Sequence, residues 1–289
     1  MKELSLPGKP ALLLQGGSLR GLYTSGVLDV WMERGLYFPT VAGVSAGALN
    51  AVNYVSHQPG RSARINLSYR HDPRYFGPLA ALRSKGVFGL DFIMRTLAER
   101  ENFDRATFEA SPQRLMVAAT DLATGKPAYF EKGHCGDFDA AVIASASMPL
   151  VSLPVKVDGG KYLDGGCACP IPLRWAQEEG FDKIVIVCTR EKGYRKPAPS
   201  QRMVDLYDDF YSDKTLFYAT LLTMEYRYNT LMDELEALED AGEIFVVRPS
   251  GPVDIGQFEG DTNKLLALVQ RGRHDAENTW DALQAFLHR

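Results

Sequence analysis

Cysteine is scarce: four residues in a chain of 289, Cys135, Cys167, Cys169 and Cys188. That is too few to frame a disulfide-stapled fold, so reduced thiols in a cytoplasmic protein are expected. Long apolar runs are missing too. The run Ala11 to Leu14 near the N-terminus is too short for the core of a signal peptide, so no targeting segment is expected. Nothing approaches the ~18–20 apolar residues of a membrane-spanning helix. An excess of one charge is also lacking. The 32 basic and 36 acidic residues leave a net charge of −4 and a pI near 5.8, which argues against a nucleic-acid binder. Hydrophobic residues make up 45% and charged residues 24%, the balance of a globular protein and not of a disordered one. The glycines and prolines follow no repeat, and no low-complexity tract or linker interrupts the chain. A single domain over residues 1–289 is expected.

The first 55 residues alternate between strand and helix patterns. Pro10 to Gln15 and Thr40 to Val44 are short apolar runs that read as buried strands. Leu19 to Arg34 and Ala46 to Val55 read as helices, the first stopped by Gly35. Strand–helix–strand–helix order predicts a parallel sheet with helices on its faces. Further on, Gln113 to Thr120 and Lys126 to Glu131 read as paired strands, and Phe138 to Ser147 as a helix ending before Pro149. Val155 to Leu163 reads as a hairpin turning at Asp158 and Gly159. Leu173 to Glu179 is a predicted helix and Lys183 to Cys188 a buried strand. Helical spacing over Asp213 to Asp240, a last strand at Glu243 to Val247 and one or two helices over Asn263 to His288 predict a helical C-terminal extension.

The strongest chemical signal is Gly43-Val44-Ser45-Ala46-Gly47, a G-x-S-x-G pattern where a strand meets a helix. A nucleophile on so tight a turn needs small neighbours two positions away, and Gly43 and Gly47 supply them. The helix N-terminus behind Ser45 offers free N–H groups to a developing oxyanion. The plain alternative is a small-residue turn with an incidental serine.

A second strand-to-helix loop, Gly16-Gly17-Ser18-Leu19-Arg20-Gly21, can present successive N–H groups to an anion. The glycine at the third position of a dinucleotide fingerprint is Ser18 here, and its ribose-binding acid and the Walker lysine are missing, so an oxyanion is favoured over a nucleotide phosphate. Asp-Gly-Gly occurs twice. Asp158-Gly159-Gly160 is explained as a hairpin turn. Asp164-Gly165-Gly166 ends a strand, where its carboxylate can meet a serine hydroxyl. The histidines are His57, His71, His134, His274 and His288, and none has a strand-end context. A Ser-His-Asp triad stays open on spacing alone, with His134 its least implausible member.

In that order the three motifs resemble those of the bacterial patatin-like phospholipases. Tyr23 to Val30, Ala144 to Pro149 and Tyr162 to Pro172 add to the resemblance, which covers about residues 10–190. It implies a three-layer α/β fold with a mostly parallel central sheet, helices on both faces and a helical C-terminal extension. It also implies a Ser-Asp dyad without histidine. Carried onto this chain, Ser45 is the nucleophile, Asp164 the base, and the N–H groups of Gly16, Gly17 and Ser18 form the oxyanion hole. Arg20, next to Gly21, steadies that loop or faces a lipid phosphate. The chain departs from the family in having Ser18 for a third glycine, Gln15 for an acid, and Cys167 and Cys169 after the aspartate. A side chain at position 18 restricts positive φ. Two thiols without further ligands make a poor zinc site, so packing is their expected role.

The resemblance implies a serine lipid acyl hydrolase of phospholipase A, lipase or carboxylesterase type. Its substrate would be a fatty-acyl ester or phospholipid, with no cofactor and no metal. Peripheral contact with a membrane surface is a further expectation, drawn from Arg61 to Arg105 with its nine basic and five acidic residues. The interleaved acids favour an ordinary solvated surface there. The alternatives are a transacylase or thioesterase on the same site, or an inactive lipid- or partner-binding module. A nucleotide-binding protein ranks behind these.

Overall fold

The computed structural model describes residues 4–84 and 86–289, so Lys85 of the basic stretch lies outside the described residues. In chain order the elements are β1 (Pro10–Leu14), α1 (Gly21–Glu33), β2 (Thr40–Val44), α2 (Ala46–Val55), α3 (Arg61–Ser68), α4 (Pro78–Ser84), α5 (Leu97–Arg100), α6 (Arg105–Ala110), β3 (Arg114–Asp121) and β4 (Pro127–Glu131). They continue with α7 (Phe138–Ser145), β5 (Val155–Val157), β6 (Gly160–Asp164), α8 (Leu173–Glu178), β7 (Lys183–Val187), α9 (Gln201–Tyr211), α10 (Thr215–Leu222), α11 (Met224–Asp240), β8 (Ile244–Val247), α12 (Thr262–Asn278) and α13 (Trp280–His288).

One sheet runs in the order β5-β6-β3-β2-β1-β7-β8, with β4 also paired to β3. The five strands β3-β2-β1-β7-β8 are mutually parallel; β4, β5 and β6 add antiparallel pairings. Covered on both faces, the central strands are continuously apolar, and all five residues of β1 and of β2 are buried. On one face Leu12, Leu14, Val41, Val117 and Val185 pack with α1, α2, α7 and α12. On the other, Leu13, Ala42, Met116 and Ile186 pack with Trp175 of α8 and with Tyr228 and Met232 of α11. The result is the expected three-layer α/β arrangement.

The C-terminal extension is built into this core. A Cβ on Gly26 would lie 2.1 Å from the Val269 carbonyl oxygen, and one on Gly272 would lie 2.1 Å from that of Tyr23. Reciprocal glycines therefore bring α1 and α12 backbone to backbone. Beside this contact the Tyr23 hydroxyl and the Ser250 N–H both donate to Asp275 Oδ2.

The helical spacing over Asp213–Asp240 is met by two helices, α10 and α11, parted at Thr223, whose hydroxyl donates to the Ala219 carbonyl at 2.8 Å while its backbone turns to φ −106°. One element expectation is corrected: the helix expected from Leu19 begins as a 3-10 turn over Ser18–Arg20. The 155–163 hairpin turns where expected, with Asp158 and Gly159 at φ 45° and 85°. Among the described residues no helix is long and apolar enough to cross a membrane.

Candidate active site

β2 ends at Val44 and α2 begins at Ala46, so Ser45 alone makes the turn. Its backbone sits at φ 55°, ψ −122°, a conformation costing about 1–3 kcal/mol for a residue with a side chain. Neighbouring contacts hold it there. The Ser45 N–H donates to Ser145 Oγ at 2.9 Å, and the Ser145 hydroxyl donates to the Ala118 carbonyl at 2.6 Å. The flanking glycines leave no room for a side chain: a Cβ on Gly43 would lie 2.7 Å from the Ala48 backbone, and one on Gly47 2.2 Å from the Leu14 carbonyl oxygen.

Asp164 closes β6 on the far side of β3. Register places Val44 against Ala118 and Asp164 against Ala119. Ser45 and Asp164 thus flank the same short stretch of β3, and their side chains meet across it. Ser45 Oγ donates to Asp164 Oδ2 at 2.6 Å, while Oδ1 accepts from the Gly166 N–H at 2.7 Å. The Asp164 backbone is held as tightly: its N–H donates to the Ser147 carbonyl, and the Thr120 hydroxyl donates to its carbonyl at 2.8 Å. Ser45 and Asp164 are both buried. Desolvation pushes the Asp164 carboxyl up to about 6, against the opposing pull of its hydrogen bonds from Ser45 and Gly166 and of the Lys196 charge.

The glycine-rich loop lies alongside. A Cβ on Gly16 would come within 3.1 Å of Ser45 Cβ, and one on Gly17 within 2.6 Å of Thr189 Oγ1. Among the described residues the N–H groups of Gly16, Gly17 and Ser18 donate no hydrogen bond. Ser18 takes a positive φ of 52° despite its side chain, and its hydroxyl donates to the Gln257 carbonyl at 2.9 Å. The serine thus keeps a glycine-like turn while tethering the loop to the C-terminal part of the chain. Arg20 points the same way, with Nη1 3.3 Å from the Ile255 carbonyl. Gly21 lets α2 approach: its carbonyl accepts from Asn50 Nδ2 at 2.8 Å, and a Cβ there would lie 2.7 Å from that of Ala46.

Among the described residues no histidine hydrogen-bonds to Ser45 or Asp164. His57 stacks on Tyr37 at 3.9 Å, exposed His134 lies beside Glu131, and His274 bonds to Asn278. All four cysteines are free thiols. Cys167 and Cys169 are buried, and desolvation pushes Cys169 up to about 12, so both pack as neutral thiols. Among the described residues no cluster of potential metal ligands occurs. In the basic stretch, Arg64, Arg74, Arg95 and Arg105 are paired with Glu101, Asp72, Asp91 and Asp139.

Ser145 and Thr120 are the site residues that sequence reasoning missed. The Ala144–Pro149 segment carried the only signal for Ser145. A cavity opens beside Ser45, walled by apolar side chains that include Leu19, Leu22, Leu49 and Met148. A buried hydroxyl–carboxylate pair, unpaired backbone donors and an apolar cleft together suit acyl transfer.

Comparison with known proteins gives two family matches. Residues 12–176 match the model described as patatin-like phospholipase, and residues 215–288 match a domain of unknown function, DUF6363. The "Uncharacterized protein YjjU" of Escherichia coli (strain K12) is 30% identical over 190 residues, covering 63% of this chain and 52% of that one. The "Uncharacterized NTE family protein Mb1092c" of Mycobacterium bovis is 33% identical, covering 56% of this chain and 44% of that one. A "cGAMP-activated phospholipase" of Pseudomonas aeruginosa is 27% identical, covering 56% and 53%. The chain spans about half the length of these relatives.

Proposed function

Because the chain belongs to the patatin-like phospholipase family, we propose that it is a serine lipid acyl hydrolase working through a Ser45-Asp164 dyad. Asp164 takes the Ser45 proton as Oγ attacks the ester carbonyl. The N–H groups of Gly16, Gly17 and Ser18 stabilise the tetrahedral oxyanion, where one donor is often worth ~3 kcal/mol. The proton passes to the leaving alcohol, and Asp164 then activates the water that hydrolyses the acyl-enzyme.

The observation that carries this reading is the 2.6 Å hydrogen bond from Ser45 Oγ to Asp164 Oδ2. A free aspartate at its ordinary pKa is a weak base at neutral pH. Burial moves Asp164 toward the working range. The proposed substrate is a fatty-acyl ester, a phospholipid or neutral lipid, with the acyl chain in the apolar cavity. The test is Ser45→Ala, expected to abolish both ester hydrolysis and fluorophosphonate labelling. Turnover with and without an added alcohol acceptor separates hydrolase from transacylase.

The reading treats residues 1–289 as one domain, in keeping with the close contact of α12 on α1. It includes peripheral contact with a lipid surface. Since Arg64, Arg74, Arg95 and Arg105 of the basic stretch are paired with acids, vesicle binding is expected to depend weakly on salt and on anionic lipid. A steep salt dependence with anionic vesicles only would reverse that expectation.

A further inference from the structure

The cavity beside Ser45 is lined mostly by apolar side chains, with the polar group Asn53, Arg61 and Ser62 among them. Ala46, Leu49 and Asn53 of α2 line it at helical spacing, so it follows one face of that helix. Between Ser45 and Asn53 the helix advances about 12 Å. There Asn53 meets Arg61 and Ser62 of α3, which also line the cavity. Arg61 Nη1 donates to Asn53 Oδ1 at 2.7 Å, and Asn53 Nδ2 donates to Ser62 Oγ at 2.7 Å.

Arg61 is only 5% exposed. Its Nε has no hydrogen-bond partner, and Nη2 reaches only the Leu97 carbonyl, at 3.5 Å. The guanidinium lies 5.0 Å over the Phe103 ring. Among the described residues it makes no ion pair. The acid whose charge it feels, Glu101, is engaged by the Tyr69 hydroxyl and by Arg64. Burial pulls the guanidinium down to about 10. A buried cation without a counter-ion is a costly arrangement, and an anionic group brought by a ligand relieves it.

We propose that the far end of this cavity receives a carboxylate, so that the preferred acyl donor is an ester of a medium-length chain with a carboxylate at its other end. That carboxylate sits on Arg61, beside Asn53 and Ser62, while the ester carbonyl sits at Ser45. A methyl-terminated chain of equal length leaves the Arg61 charge unpaired against an apolar tip, and a shorter dicarboxylate cannot reach it. The proposal rests on Ser45 as the reacting end of the cavity.

Calorimetry on the Ser45→Ala protein with sebacate and with decanoate tests it without turnover. Sebacate is expected to bind about tenfold more tightly or better, and Arg61→Met to erase the preference, with Arg61→Lys retaining part of it. With active protein, the ratio of kcat/KM for p-nitrophenyl hemisebacate over p-nitrophenyl decanoate is expected to exceed one. It should fall about tenfold in Arg61→Met. Sebacate binding no tighter than decanoate, a comparison that needs no substitution at Arg61, overturns the proposal. Tight sebacate binding with Ser45-independent turnover would leave the carboxylate site standing and remove the nucleophile assignment.

Discussion

Ser45 and Asp164, 119 residues apart in sequence, share a 2.6 Å hydrogen bond across β3. The bond joins a strained turn after one strand to the carboxylate that ends another. Both backbones are pinned by hydroxyls: Ser145 holds Ser45, and Thr120 holds Asp164. In the proposed mechanism the carboxylate takes the place of a triad's imidazole.

Replacing Asp164 by asparagine keeps the volume and removes the proposed base. We expect kcat to fall by about 10²–10⁴, with the protein still folded. In the wild type, kcat/KM should rise with pH through about 6 and level off above it, since the base acts only when ionised. A stopped pH series on a soluble ester, run on both proteins, checks this. A flat profile through that region in the wild type would count against Asp164 as base.

The same carboxyl has a stability consequence of opposite benefit. Its folded pKa, about 6, lies above the ordinary value of 3.8, so the folded state holds the proton more tightly. That contribution is fully present below pH 4 and is lost as pH rises through 6. The amide that replaces the carboxyl in Asp164→Asn does not titrate. The stability of that variant relative to wild type should therefore increase between pH 4 and pH 7, on the order of 3 kcal/mol. Urea unfolding at the two pH values measures it.

Ser145→Ala removes the hydroxyl that joins the Ser45 N–H to the Ala118 carbonyl. Leaving these buried groups unpaired should cost about 1–3 kcal/mol in stability. It should also lower kcat more than it changes KM, because the turn carrying Ser45 relaxes. Thermal unfolding and steady-state kinetics on one preparation separate the two effects. An unchanged kcat would show that Ser145 supports only the fold.

Gly47→Ala places a Cβ 2.2 Å from the Leu14 carbonyl oxygen, a contact with backbone that cannot swing aside. Destabilisation of about 1–3 kcal/mol or more is expected, with activity lost in parallel. A variant of unchanged Tm would contradict the packing described for the turn.

Much of this was legible in the sequence because the information was local. The apolar runs at Pro10–Gln15 and Thr40–Val44 had to be buried strands, and Asp158-Gly159 had to turn. Gly43 and Gly47 marked the serine between them. Other features depend on residues far apart in the chain. Ser145 and Thr120 look like ordinary small polar residues until β3 and α7 place them against the dyad. Ser18 keeps a positive φ while its hydroxyl tethers Gln257, 239 positions away. The break at Thr223 interrupts an otherwise continuous helical pattern. Arg61 heads a helix whose sequence, RSARINLS, reads as solvated, and only packing under α2 and Phe103 reveals it as buried.

The most direct test of the account is the intact mass of the protein after reaction with a fluorophosphonate, with the adduct mapped to its peptide. A single adduct on Ser45, lost in Ser45→Ala and slowed in Asp164→Asn, is the expected result. An adduct on another serine that persists in Ser45→Ala would contradict it.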